Sequence, residues 1–192
     1  MGRPKQFDPD AAVASAMHVF WQQGYAATTP GDLVEALGIG KGSLYLAFES
    51  KRGLFEQALR RYGDERVAAL TEVLDRPGSA RVRLRAALER LVAPELAKLR
   101  RRGCLAVNTA AELGASDEAA AAIVRSVFDR MESALRATIE DGQRRGELDA
   151  ELDAAGLASL MLSTLLGMTV LGKTVARPDR LSRIVDAMMA LV

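Results

Sequence analysis

Residues 41–48 read Lys-Gly-Ser-Leu-Tyr-Leu-Ala-Phe, mixing hydrogen-bonding groups with bulky apolar anchors at helical spacing. On a helix of about two turns, Ile39, Leu44 and Phe48 supply the anchors, while Lys41, Gly42, Ser43, Tyr45 and Leu46 fall on the other side. That second set suits the edges and backbone of a nucleic-acid duplex. A lysine at 41 donates to guanine O6 or N7, and a serine at 43 bonds a base or a phosphate. Gly42 lets two backbones approach. Tyr45 offers a hydroxyl to a phosphate and a ring to a thymine methyl, and Leu46 offers apolar contact to a methyl or sugar. The chemistry is noncovalent recognition. Thr29 and Lys51, on either side of the segment, are placed to grip phosphates and fix register.

A second reactive group is Cys104, which follows Arg100-Arg101-Arg102-Gly103 at the start of a short apolar helix. Guanidinium groups and a helix N-terminus both favour thiolate, so Cys104 is a candidate sensor of oxidants or electrophiles. A buried, inert thiol is the alternative. Catalysis by this thiol lacks a base partner, because the only histidine, His18, belongs to the N-terminal segment. No metal-ligand spacing, phosphate loop or paired catalytic carboxylates stand out, so no metal and no cofactor are expected.

The elements that must position these groups are helices. Thr29 can cap a helix with Pro30 at its first position, where a missing N–H costs nothing. Leu33, Val34 and Leu37 give that helix an apolar face, and Gly38 suits the left-handed residue that closes it. The 41–48 helix follows, and Ser50 caps the next one. Two short helices about a glycine turn form a helix-turn-helix, whose second helix can enter a major groove. Ahead of it lie the Gly2-Arg3-Pro4-Lys5 arm and a helix from about Pro9 to Gln23, with Val13, Met17 and Phe20 inward. Arg3 and Lys5 are candidates for minor-groove contact.

Further helices are expected from Ser50 to Leu74, Ala80 to Leu99 with a bend at Pro94, and Cys104 to Leu113. A long one repeats Ile123, Val127, Met131, Leu135 and Ile139 and is closed by Gly142 and Gly146. Asp153 caps an eighth helix and Pro178 opens a ninth. The run from Ala154 to Gly172 holds 19 uncharged residues, near the length of a bilayer span. Its serines, threonines and glycines favour a packing helix instead. No strand-like alternation occurs, so the chain is read as all-α with about nine helices.

Composition sets the limits. At 192 residues and 49% apolar content, a core filled by Leu, Ala and Val is available. The net charge is +1, and residues 1–52 carry five basic side chains against five acidic ones. Bulk charge therefore does not attract a polyanion; placement alone must, and two protomers are needed for useful affinity. One cysteine excludes an internal disulfide and fits a reducing cytoplasm, and the N-terminus lacks the apolar run of a secretory leader.

The sequence FWQQGYAATT, its spacing to GIGKGSLYLAF, and the ESK of Glu49 to Lys51 together resemble the TetR family of transcriptional regulators, closely over residues 7–58. The resemblance implies a helix-turn-helix DNA-binding domain at 1–52 and a helical ligand-binding and dimerisation domain at 53–192. It places DNA contacts on Thr29, Lys41, Gly42, Ser43, Tyr45, Leu46 and Lys51. Leu46-Ala47 stands where the family often has a histidine pair, so base preference does not carry over.

A two-fold protein matches a palindromic operator. The expected homodimer would use the last two helices: the small-residue ridge of Gly156, Ser159, Ser163 and Gly167, and the stripe of Leu181, Ile184, Val185 and Met188. A TetR-like effector cavity would admit a small apolar or electrophilic molecule. Asn108, Thr109 and Glu112 are its candidate polar groups, and Met131, Met161 and Met168 its flexible lining. The resulting reading is a dimeric regulator, by family habit a repressor, released from DNA by such a ligand or by thiol modification. The alternatives are a helical-bundle protein whose Cys104 acts in thiol chemistry, and a helical adaptor that binds only protein.

Overall fold

The computed structural model describes residues 7–96, 102–174 and 178–192. These form nine α-helices and no strand: α1 (Pro9–Gln23), α2 (Pro30–Leu37), α3 (Lys41–Phe48), α4 (Lys51–Leu74), α5 (Ala80–Leu96), α6 (Leu105–Leu113), α7 (Glu118–Arg144), α8 (Ala154–Thr174) and α9 (Pro178–Met189). Several helix starts are capped by a side chain. Asp8, Ser50 and Asp117 each accept a backbone N–H of the first turn they precede. The anticipated extension of α5 towards Leu99 and the arm bearing Arg3 and Lys5 lie outside the described residues.

Two apolar cores share the long helices. The smaller gathers α1, α2, α3 and the first half of α4 around Phe20, Leu33, Leu44 and Phe55, all fully buried. Phe20 meets Phe55 edge-on at 5.0 Å. This core continues into Cys104, Leu105, Ala106, Ile123 and Val124, so α6 and the start of α7 close it. The division at residue 52 thus falls at the head of α4, whose first turns belong to the smaller core. The larger core joins the second half of α4 to α5, α7, α8 and α9. Gly63 sets the closest approach of α4 to α7: a Cβ there would stand 2.3 Å from Val127 Cγ2.

Several expectations need correction. Leu181, Val185 and Met188 on α9 are buried inside the protomer against α5, and Ile184 is half-buried there, so this stripe is intramolecular packing. Met131, Met161 and Met168 lie deep in the larger core, which consumes their surface. Helix α8 is long and apolar enough to cross a membrane by composition. Only one of its faces is buried: Leu157, Met161, Leu165 and Met168 pack inward. Gly156, Ser159, Ser163 and Gly167 face outward, joined by Leu160 and Val170 at 45% and 48% exposure.

Candidate nucleic-acid interface

The reading unit is built from its caps. Thr29 and Asp32 form a reciprocal capping box: the Asp32 N–H donates to the Thr29 hydroxyl at 3.2 Å, and the Thr29 N–H donates to the Asp32 carboxylate at 2.7 Å. The Thr29 backbone N–H, and then its hydroxyl, hold the Asp32 carboxyl below its ordinary range. Gly38 closes α2 at φ 63°, in the left-handed region, and its N–H reaches the carbonyls of Val34 and Glu35. Helix α3 then leaves at an angle, pinned by Leu44 and Phe48 in the core.

Its outer side is open. Lys41, Gly42, Tyr45 and Leu46 are exposed, Leu46 to 89%, and Ser43 is half-buried. A Cβ added at Gly42 meets nothing within 4 Å, so the absence of a side chain there serves nothing inside the protomer. The far end of α3 is held by Glu49, whose φ of 62° is the one positive value at a non-glycine among the described residues. The chain reverses through it, with the Ser50 N–H donating to Phe48 O at 2.6 Å, so that Ser50 can cap α4. Such a strained turn costs roughly 1–3 kcal/mol, and the packing of Phe48 holds it in place. Spacing arguments offered no sign of this residue.

Lys51 plays a different part from the one its type suggested. Its ammonium donates at 2.9 Å to the carbonyls of both Tyr25 and Thr28 and lies 4.2 Å from the centre of the Tyr25 ring. It ties the α1–α2 turn to α4, leaving one of its three protons uncommitted.

Of the polar residues expected in an effector pocket, Glu112 also meets the reading unit. Glu112 on α6 accepts from the backbone N–H groups of Tyr25 at 3.0 Å and Ala26 at 2.7 Å. Gly24 makes room for it, because a Cβ there would sit 2.9 Å from Glu112 Oε2. Trp21 donates its indole N–H to Gly103 O at 2.9 Å, and the Arg102 guanidinium lies 4.4 Å from the Trp21 ring centre. Arg52 at the head of α4 pairs with Asp117, the cap of α7. Asn108 bridges Arg102 O and the Lys173 ammonium, while Thr109 is buried. Sequence spacing could not pair residues this far apart.

Cys104 is the N-cap residue of α6 and is buried. Its polar neighbour is the Tyr62 hydroxyl. Burial first, and then Cys104 beside it, push that hydroxyl well above its ordinary value of 10.0. The Tyr62 ring meets Trp21 edge-on at 4.9 Å. Arg100 and Arg101 lie outside the described residues.

With this geometry in view, the likeness to known proteins is informative. The family described as "Bacterial regulatory proteins, tetR family" matches residues 12–58, and "Tetracyclin repressor-like, C-terminal domain" matches residues 82–188. The chain belongs to the TetR family. Its similarity to the HTH-type transcriptional regulator YezE of Bacillus subtilis is 31% identity over the whole of both chains. To the HTH-type transcriptional repressor ComR of Escherichia coli it is 33%, covering 99% of this chain and 91% of that one. Among solved structures, CifR, a TetR-family transcriptional regulator complexed as a cysteine mutant with 26-base-pair operator DNA, superposes with a TM-score of 0.85. The two are 32% identical over 98% of each chain. This TetR-family protein is accordingly a DNA-binding regulator, and the exposed side of α3 is its candidate reading surface. Members of the family are regulators and not enzymes, which sets aside the reading of Cys104 as a catalytic nucleophile.

Proposed function

We propose that this protein is a cytoplasmic homodimeric repressor that reads a palindromic operator with one α3 helix per half-site. The observation that carries this reading is the outer side of α3. Lys41, Gly42, Tyr45 and Leu46 are all exposed, beside a half-buried Ser43, on a helix whose inner side is fully anchored. An 89%-exposed leucine costs solubility without helping the fold; it gains a purpose when it meets a thymine methyl. Thr29 and Lys51, both engaged in holding the turn, would act through backbone placement. The outer ridge of α8 is the surface left for the two-fold contact. The operator complex of CifR and the repressor name of ComR support the same assignment.

Release would follow from any event that shifts α6 and the start of α7, because these carry the bonds to the reading unit. A small ligand is one such event. Modification of Cys104 is a second, favoured by the contacts running from Cys104 to Tyr62 and from Tyr62 to Trp21.

The test is selection of genomic fragments by the purified protein, followed by mobility shifts at two salt concentrations. Recovery of one palindromic site, bound at least tenfold more weakly by Lys41→Ala and Tyr45→Ala, is the expected result. Only sequence-blind binding that salt erases would overturn the proposal.

A further inference from the structure

A cleft of about 440 Å³ opens between the end of α1, helix α6 and the end of α8. Its lining includes Trp21, Arg102, Asn108, Ala111, Glu112 and Lys173. The volume lies within the range of small-molecule sites. The charged lining is Arg102, Lys173 and Glu112. Both oxygens of Glu112 accept from backbone N–H groups, which commits the carboxylate to the α1–α2 turn. The Lys173 ammonium donates at 2.8 Å to Asn108 Oδ1, a neutral partner, and meets no carboxylate among the described residues. The half-buried indole of Trp21, with the Arg102 guanidinium 4.4 Å from its centre, and the exposed methyl of Ala111 line the cleft with that cation.

From these groups we infer that the cleft binds a small organic carboxylate with a flat apolar body, and that its occupation loosens the hold of Glu112 on the reading unit. The carboxylate takes the place of Asn108 on Lys173, exchanging a neutral acceptor for a charged one. The ring lies along Trp21 and Ala111. Glu112 forms part of the same wall, so a ligand there competes with the geometry that lets its carboxylate reach Tyr25 and Ala26. The inference deepens the proposed effector response and rests on that reading for its effect on DNA.

Trp21 is the chain's single tryptophan, so its fluorescence reports on the cleft directly. The probe is benzoate, with benzamide as the uncharged analogue and inorganic phosphate as a plain anion. Saturable quenching by benzoate alone is expected. It should weaken at least tenfold in Lys173→Gln and, separately, in Ala111→Phe, which fills the cleft and leaves the cation in place. Helicity and melting temperature would confirm that both variants fold. Equal responses to benzoate and phosphate, or responses unchanged in both variants, would overturn the site. A second arm titrates benzoate into the complex with the selected operator fragment. Loss of retention at the concentrations that quench Trp21 supports the coupling, and unchanged retention overturns it. Because operator binding without benzoate is measured independently, failure of the site is distinguishable from failure of the repressor reading.

Discussion

The Glu112 carboxylate accepts a hydrogen bond from the Ala26 amide at 2.7 Å, joining residues 86 apart in the chain. The same carboxylate accepts from Tyr25, so one side chain of α6 clasps the turn that sets the angle of α2 and α3. The clasp is open to solvent, which limits its strength and suits a joint that must release.

Removing it should loosen the turn without unfolding the protein. Glu112→Ala is expected to cost about 1 kcal/mol, the net worth of an accessible hydrogen bond to a charged group. Amide exchange at Tyr25 and Ala26 should accelerate selectively. Unchanged exchange at both amides would show that the contact does not persist in solution.

Gly42 and Gly38 separate DNA contact from folding. Gly42→Ala adds a methyl where nothing stands within 4 Å, so stability should hold or rise slightly, while operator affinity falls at least tenfold if DNA backbone comes close there. Gly38→Ala forces a side chain to φ 63° and should cost about 1 kcal/mol. Denaturant titration and mobility shifts, run in parallel, resolve the two effects. Full operator affinity in Gly42→Ala would remove that position from the interface.

Strong acid should weaken the α2 cap. The Asp32 carboxyl is held below its ordinary value of 3.8, chiefly by the Thr29 backbone N–H and then by its hydroxyl. A carboxyl whose folded pKa is lowered contributes stability above its unfolded value and loses that contribution as pH falls through the folded one. Below about pH 4 the capping box should therefore open progressively, followed by the Asp32 carbon shift in NMR. In Thr29→Val the Asp32 titration should move up, towards its ordinary range. An unmoved titration would mean that the Thr29 hydroxyl does not hold the carboxyl.

The outer ridge of α8 supplies the fourth prediction. Leu160→Glu places a charge on a surface 45% exposed in the single chain, where it costs the protomer little. Sedimentation should show a folded monomer, and operator retention should fall with it. A dimer that survives would place the two-fold axis elsewhere.

Much of this architecture is legible in residue order because its signals are local. Thr29 with Pro30, Gly38 and Ser50 mark helix ends through bonds spanning four residues or fewer, so composition at those positions suffices. The inner anchors of α3, Leu44 and Phe48, and its exposed side follow from helical period alone.

Side-chain destination is another matter. The stripe from Leu181 to Met188 is equally consistent with an outer interface or an inner seam, and only the approach of α5 makes it inner. Lys51 has the type and place of a phosphate contact, yet two carbonyls across the turn accept hydrogen bonds from its ammonium. Glu112, Trp21 and Arg52 acquire their roles from partners more than sixty residues away, which chain folding alone brings within bonding distance. The sequence by itself determined the helices and the exposed side of α3, because their forces act within a few turns. The tertiary structure decided how the helical body holds that surface, because hydrogen bonds act over about 3 Å and carry no trace along the chain.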